Sequence, residues 1–359
     1  MYQFDRNKQT ITIEGYTFDS KNFKDTSLRF TDNSFKRDLF LFLREWFSDS
    51  PYLNVKTSGS TGIPKEITVE KDRMMCSAEL TCSYLGLKNG DTALLCMSLD
   101  YIAGKMFVVR ALIAGLNLYP VPPSGNPLKD TDIPFDFAAM IPLQVYNSMQ
   151  SETERERLKS IKNLIIGGGA IDDSLHDELK NFPNNVYSTY GMTETLSHIA
   201  LRKLNGNDAS DSYIPFTSVS LSLSEDNALI IDAPLVSGER LYTNDIAKIN
   251  SDGSFSIIGR KDNIINSGGI KIQIEEVEKL LKPLINSPFA ITSIPDPKFG
   301  EIVVLVVENE IDEESFKTVL PAYYLPKKIV KIDAIPLTET GKISRSLLRK
   351  KVSDYLFGK

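Results

Sequence analysis

Between residues 93 and 189 short apolar runs alternate with helical stretches, and that alternation constrains the fold more than any other feature of the chain. Ala93–Met97, Asn117–Val121, Asn163–Ile166 and Asn185–Thr189 read as strands. Gly104–Ala114, Ser151–Ser160 and Asp173–Lys180 read as helices between them. Runs as short and apolar as Ala93-Leu94-Leu95-Cys96-Met97 suit buried strands. Strands joined through helices favour a parallel sheet. Gly115 closes the Gly104 helix, and the proline-rich stretch 121–127 must be loop.

The periodicity changes after Leu201. Ser218–Leu223 and Asn227–Ile231 alternate with period two, and Ala247–Asn250 and Ser254–Ile258 flank the hairpin signal Ser251-Asp252-Gly253. From Lys261 onward the chain turns to α+β, with a charged helix at Gln273–Leu284 and strands at Glu301–Glu308 and Lys328–Ile332. Upstream, Asn33–Phe47 reads as an amphipathic helix bearing the only tryptophan, Trp46. Arg73–Leu85 reads as a helix with Gly86 as its cap. The expected fold class is therefore α/β. A large N-terminal domain, residues 1–260, holds a parallel sheet flanked by helices plus a small antiparallel β unit. A small α+β C-terminal domain, residues 261–359, follows.

Composition narrows the function classes. With 359 residues and 42% hydrophobic content the chain can bury a sizeable core in two or three domains. A formal net charge of −6 argues against a nucleic-acid-binding role, which usually shows a basic face. The polar start at residues 1–8 lacks the apolar core of a signal peptide, and no apolar run is long enough to span a bilayer. Cys76, Cys82 and Cys96 form no C-x-x-C pair and read as buried thiols of a reducing, cytoplasmic compartment. Two histidines cannot build a multi-histidine metal centre. Oligomeric state is left open, a homodimer included.

Thr57-Ser58-Gly59-Ser60-Thr61-Gly62-Ile63-Pro64-Lys65 is the stretch richest in chemistry. Glycines permit a tight turn with exposed N–H groups, the hydroxyls add donors, and Lys65 adds charge. Together they suit a polyphosphate. The spacing is not that of a Walker P-loop. A flexible Ser/Gly linker has similar composition, but here Glu66–Val69 follows at once as a strand.

The order of residues in this loop resembles the adenylate-forming superfamily of acyl-CoA synthetases, adenylation domains and luciferases, whose signature is S/T-S-G-S/T-S/T-G-x-P-K. Further motifs follow in the superfamily's order. Tyr190-Gly191-Met192-Thr193-Glu194 matches Y-G-x-T-E. The resemblance implies that Tyr190 stacks on adenine, Thr193 touches the α-phosphate and Glu194 binds Mg²⁺. Gly167-Gly168-Gly169-Ala170 resembles the strand end lying along adenine, and Asp245 in Thr243-Asn244-Asp245 resembles the ribose-binding aspartate, with Asn244 in place of the usual glycine. A solvated turn residue is the plain alternative for Asp245. Arg260 and Asp262 resemble the nucleotide-contacting arginine and the hinge on which a mobile C-terminal domain swings. Gly268 and Gly269 fall in the segment beside the CoA tunnel. Pro336–Arg345 matches P-x-T-x-x-G-K-I/V-x-R and makes Lys342 the catalytic lysine.

The resemblance implies an ATP-dependent ligase that needs Mg²⁺ with ATP, a carboxylic acid and CoA. Most of the superfamily's long segment ahead of the glycine-rich loop has no counterpart in residues 1–56. Within the superfamily, Tyr190–Ala200 is most similar to o-succinylbenzoate–CoA ligases of menaquinone biosynthesis, with His198 where they carry glutamine. Another aryl- or acyl-CoA ligase, or an enzyme loading a separate carrier protein, remains an alternative. Tyr101 and Lys105 fall in the segment that lines the acyl pocket. Lys105, Ser197 and His198 are expected to surround the aromatic carboxylate of such a substrate.

Overall fold

A computed structural model describes residues 2–21, 34–56, 66–311, 316, 318–338 and 343–358. It divides into two compact units. The first comprises residues 1–220, 231–241 and 251–254, and the second comprises 221–230, 242–250 and 255–359.

The first unit is built on a nine-stranded sheet. Its strands are β1 (Thr10–Ile13), β2 (Tyr16–Asp19), β5 (Thr92–Leu95), β6 (Asn117–Pro120), β7 (Phe137–Met140), β8 (Asn163–Ile166), β9 (Asn185–Gly191), β10 (His198–Lys203) and β11 (Ile214–Pro215), and they lie in the order β11-β10-β9-β8-β7-β5-β6-β1-β2. The six central strands, β9 through β1, run parallel, as the alternation predicts. Antiparallel neighbours close both edges. A separate two-stranded ribbon pairs β3 (Tyr52–Lys56) with β4 (Glu66–Glu70). Lys56 and Glu66 are register partners, so the two ends of the glycine-rich segment are held side by side.

Helices α1 (Ser34–Trp46), α2 (Lys71–Leu85), α3 (Ile102–Ala114), α4 (Pro142–Met149), α5 (Glu152–Ser160) and α6 (Asp173–Leu179) belong to the same unit. From Met106 to Ala114 every residue of α3 is buried, the signature of a helix enclosed on all sides. Gly104 lets its first turn approach the preceding loop, since a Cβ there would lie 2.2 Å from the Ser98 carbonyl oxygen. Helix α1 ends on an unusual cap. The buried Lys71 ammonium donates to the carbonyls of Glu45 (2.8 Å), Trp46 (2.9 Å) and Ser48 (3.2 Å). A cation at a helix C-terminus satisfies carbonyls that the helix leaves unpaired and meets its negative end. Gly86 and Gly115 close α2 and α3 in the left-handed conformation, as expected.

A four-stranded sheet holds β12 (Ser220–Leu223), β13 (Ala228–Asp232), β14 (Leu241–Ile249) and β15 (Phe255–Arg260). The β14–β15 pair is the hairpin that Ser251-Asp252-Gly253 announces, with Gly253 at φ +82°. Beyond it, β16 (Ile264–Ser267), β17 (Ile270–Gln273), β18 (Phe289–Asp296), β19 (Gly300–Val307) and β20 (Lys328–Lys331) form one sheet with α7 (Ile274–Leu281) and α8 (Arg345–Phe357). The unbroken apolar run of β19 has a simple cause. Val303, Leu305 and Val307 pack with Val277 and Leu281 of α7, while Ile302, Val304 and Val306 pack with Leu348 and Val352 of α8. A strand covered on both faces loses the polar half of its alternation.

Candidate active site

The Tyr190-Gly191-Met192-Thr193-Glu194 segment lies at the end of β9 and turns straight back into a strand. The sequence pattern alone suggests a turn leading into a helix. Instead Thr193–Thr195 makes a single 3₁₀ turn, and β10 returns antiparallel to β9 with His198 opposite Gly191. Two features impose this return. A Cβ on Gly191 would lie 2.3 Å from the Ser197 carbonyl oxygen and 2.5 Å from the His198 Cα, so only glycine admits the returning chain. Thr195 pins the turn: its hydroxyl accepts from the Met192 N–H at 3.0 Å and donates to the Ser197 carbonyl at 2.6 Å. Buried Leu196 completes it at φ +63°, a conformation that L-residues seldom adopt. The turn leaves the Glu194 carboxylate exposed and Thr193 half-buried. The Tyr190 ring lies 5.8 Å from that of Tyr213. On the neighbouring strand, Gly167 lets β9 come close, because a Cβ there would lie 2.3 Å from Thr189 Oγ1. Gly168 follows at φ +80°, and Gly169 and Ala170 continue the same strand-end turn.

Behind the turn lies a polar cluster in which one residue escaped the sequence reading. Arg110, in the middle of α3, is 2% exposed and donates from Nη2 to Ser197 Oγ at 2.6 Å. Its Nε is buried without a hydrogen-bond partner, and among the described residues no carboxylate pairs with it. Burial draws its pKa down to about 10, which leaves it charged at neutral pH. Ser197 Oγ also lies 3.3 Å from His198 Nδ1, and His198 Nε2 lies 2.9 Å from Thr81 Oγ1. Burial, and then the Arg110 charge, push His198 well below the usual histidine range, so the imidazole is neutral. An arginine within Ile102-Ala103-Gly104-Lys105-Met106-Phe107-Val108-Val109-Arg110-Ala111-Leu112-Ile113-Ala114 was the available signal: a lone cation in the apolar half of a buried helix needs a partner.

Lys105 does not join this cluster. Its ammonium donates to the Asn54 carbonyl at 3.2 Å and lies 5.7 Å from the Phe42 ring centre. It lines a surface cavity of about 550 Å³ with Asp38, Glu45 and Asp100. The reason is helical geometry. Lys105 and Arg110 are five residues apart on one helix, roughly 140° around its axis, and face different neighbours. Tyr101, at the N-terminus of α3, forms a parallel bridge with Lys56, the last residue before the glycine-rich segment.

The second unit carries its own set. Asp245 on β14 faces Arg260 on β15 across the register, and Arg260 Nη1 donates to Asp245 Oδ1 at 3.2 Å. From Nη2 it also donates to Asp262 Oδ2 at 2.8 Å, which ties the proposed hinge to the proposed ribose ligand. The Asp245 N–H is held by Thr243 Oγ1 at 3.1 Å. Asp262 sits in the 3₁₀ turn Lys261–Asn263. Gly268 (φ +59°) and Gly269 (φ +83°) make the exposed β16–β17 turn. Thr57, Ser58, Gly59, Ser60, Thr61, Gly62, Lys65 and Lys342 lie outside the described residues. Among the described residues no group of three or more His, Cys, Asp or Glu side chains could hold a metal alone, and no helix is long and apolar enough to cross a membrane.

A nucleotide-binding α/β enzyme is the class that this strand-end turn and sheet order define, and comparison with known proteins narrows it. The AMP-binding enzyme family matches residues 17–237. The chain belongs to that family and is an AMP-forming ligase. An AMP-forming acyl-CoA synthetase/AMP-acid ligase II-like protein from Dyadobacter fermentans is 32% identical, with a TM-score of 0.62 over 90% of this chain and 95% of that one. The 2-succinylbenzoate–CoA ligase of Listeria monocytogenes is 24% identical over 330 residues, 83% of this chain and 69% of that protein. The ligase of the same name from Bacillus cereus is 24% identical over 399 residues, 99% of this chain and 81% of that protein. The o-succinylbenzoate–CoA synthetase of Bacillus subtilis, solved with ATP and magnesium, is 21% identical with a TM-score of 0.67 over 82% of this chain and 69% of that one, and shares the fold.

Proposed function

We propose that this AMP-forming ligase activates o-succinylbenzoate and transfers it to CoA. The observation that carries the reading is Arg110, a buried guanidinium with an unpartnered Nε and no carboxylate among the described residues. Burying a cation without a counter-charge costs several kcal/mol. A substrate with two carboxylates removes that cost with one of them while the other reacts. Arginine's planar fork suits a carboxylate, and half-buried Ser197 lies beside it. The 2-succinylbenzoate–CoA ligases among its relatives support the same substrate.

In this reading the succinyl carboxylate oxygen attacks the α-phosphorus of ATP, the bond to the β-phosphate oxygen breaks, and pyrophosphate leaves. The CoA sulfur, its proton lost to solvent, then attacks the acyl carbon, the carbon–oxygen bond to AMP breaks, and AMP leaves. No protein residue forms a covalent bond, so the chain works by positioning and charge. Tyr190 packs on adenine beside Gly168, Gly169 and Ala170, and Gly191 and Met192 present the backbone there. Thr193 meets the α-phosphate. Asp245 and Arg260 hold the ribose. The segment Thr57–Lys65 takes the β- and γ-phosphates, and Lys342 approaches the α-phosphate. Exposed Glu194 fits Mg²⁺, which needs only one or two carboxylates alongside phosphate oxygens and would neutralise phosphate charge there. Residues 261–359 act as a lid turning about Asp262, which brings Gly268 and Gly269 to the CoA thiol path.

Pyrophosphate release tests the proposal. The enzyme is incubated with ATP, Mg²⁺ and a panel of carboxylic acids, and thioester is followed with CoA. Selective, CoA-linked turnover of o-succinylbenzoate is expected. Equal use of benzoate or fatty acids contradicts the substrate, and acyl transfer only to a carrier protein contradicts the acceptor.

A further inference from the structure

We infer that His198 is a positioning residue for the acid-binding guanidinium: its imidazole, oriented by Thr81, turns the Ser197 hydroxyl so that the oxygen lone pairs face Arg110. This rests on the reading of Arg110 as anchor for the second carboxylate.

The chain of donors fixes the tautomer. The Thr81 hydroxyl spends its hydrogen on the Ser77 carbonyl, 3.4 Å away, and therefore accepts from His198 Nε2 at 2.9 Å. Nε2 then carries the ring's hydrogen, and Nδ1 is bare. Bare Nδ1 draws the Ser197 hydroxyl hydrogen across 3.3 Å. Ser197 Oγ keeps only lone pairs for its other neighbour, and Arg110 Nη2 donates into them at 2.6 Å. Every hydroxyl in the row uses its single hydrogen once. The Phe216 ring, 5.7 Å from the imidazole, closes the remaining side. A protonated imidazole would set a second cation beside Arg110 with no acid among the described residues to offset either, in accord with the depressed histidine pKa. One N–H of the guanidinium is thus tied down by a neutral acceptor. Its orientation is fixed without neutralising it, and Nε is left for an arriving carboxylate.

Two readouts test this. The chain has two histidines, so ¹⁵N-histidine NMR with a His176→Gln variant assigns His198 directly. Protonated Nε2 and bare Nδ1, unchanged from about pH 6 to 8 where an ordinary histidine titrates, are expected. A hydrogen on Nδ1, or a titrating His198, overturns the inference. The second readout is the ratio of kcat/KM for o-succinylbenzoate over 4-oxo-4-phenylbutanoate, which lacks the aromatic carboxylate. His198→Leu should lower that ratio about tenfold, through KM for the diacid, the scale of one well-placed hydrogen bond. His198→Asn, whose amide oxygen reaches the Nδ1 position, should keep the ratio within about threefold of the original, the remainder being the lost Thr81 contact. Equal losses on both acids, or no rescue by Asn, would show a merely structural histidine. Should the Leu variant fail to fold, the Asn variant and the NMR decide. Arg110→Met separates the two layers. If it leaves the ratio intact, the second-carboxylate reading fails. If it collapses the ratio while His198→Leu does not, only the positioning role fails.

Discussion

Arg110 and Ser197, 87 residues apart in sequence, meet at 2.6 Å between the buried face of α3 and the turn from β9 to β10. The contact joins the helix that packs behind the sheet to the turn that presents Thr193 and Glu194. In the proposed reading, the residue that receives the second carboxylate and the residues assigned to the nucleotide therefore share one element.

Gly191→Ala should damage that element. The added Cβ would strike backbone at 2.3 Å and 2.5 Å, which cannot rotate away. Forcing β9 and β10 apart should cost about 2–3 kcal/mol of stability, the scale of overpacking, and should lower kcat/KM at least tenfold. Thermal unfolding and pyrophosphate release check both. Full activity in the Ala variant would mean the turn is remote from the reaction.

Lys71→Met removes the cap of α1. The Glu45 and Ser48 carbonyls keep donors from Ser48 and Arg6, but the buried Trp46 carbonyl loses its charged donor, and an unsatisfied buried acceptor costs about 1–3 kcal/mol. The urea midpoint should fall by the equivalent of about 1–3 kcal/mol, while KM for ATP holds. An unchanged midpoint would show that water replaces the ammonium at no cost.

His198 predicts a direction for acid destabilisation. Its folded pKa is depressed below the ordinary 6.5 by burial and by Arg110. The unfolded chain therefore binds a proton that the folded chain refuses, and stability rises with pH in that window. The unfolding free energy, and the melting temperature with it, should fall as pH drops below about 6.5, the free energy by up to about 1.4 kcal/mol per pH unit for this group. His198→Asn should flatten that slope. An identical slope in the variant would assign acid sensitivity to other groups.

The half-reactions should separate Lys342 from Asp262. Lys342→Ala should cut adenylate formation by about 3–4 kcal/mol equivalents, as loss of one donor at a developing charge does, yet still convert supplied acyl-adenylate to thioester. Asp262→Pro, with φ fixed near −65°, should form adenylate and fail in transfer. Equal loss in both steps for Lys342→Ala, or normal overall turnover for Asp262→Pro, contradicts the lid mechanism.

The parallel sheet was legible because β5 and β8 are short apolar runs that, with β9, alternate with helical stretches; their length and that alternation distinguish them. Antiparallel β10 was not, since His198-Ile199-Ala200-Leu201 is a continuous buried run that could equally start a helix; what decides is the Gly191 approach and the Thr195 lock, both tertiary. The same holds in the site. Motif residues could be named from order alone. Arg110 stands out in the sequence only as a lone cation in an apolar helix; its meaning depends on its being buried with no acid beside it among the described residues, which sequence does not show. The resemblance puts Lys105 with Ser197 and His198 because its segment lines the acyl pocket in the family, but helix phase sends it to Asn54 and Phe42 instead.

The most direct test compares kcat/KM for o-succinylbenzoate and for 4-oxo-4-phenylbutanoate in the wild-type enzyme and in Arg110→Met. If the buried guanidinium receives the second carboxylate, wild type prefers the diacid and the variant loses about 2–5 kcal/mol equivalents on the diacid alone, the cost of breaking a buried charge pair. An Arg110→Met enzyme that keeps its full preference for the diacid would contradict the account.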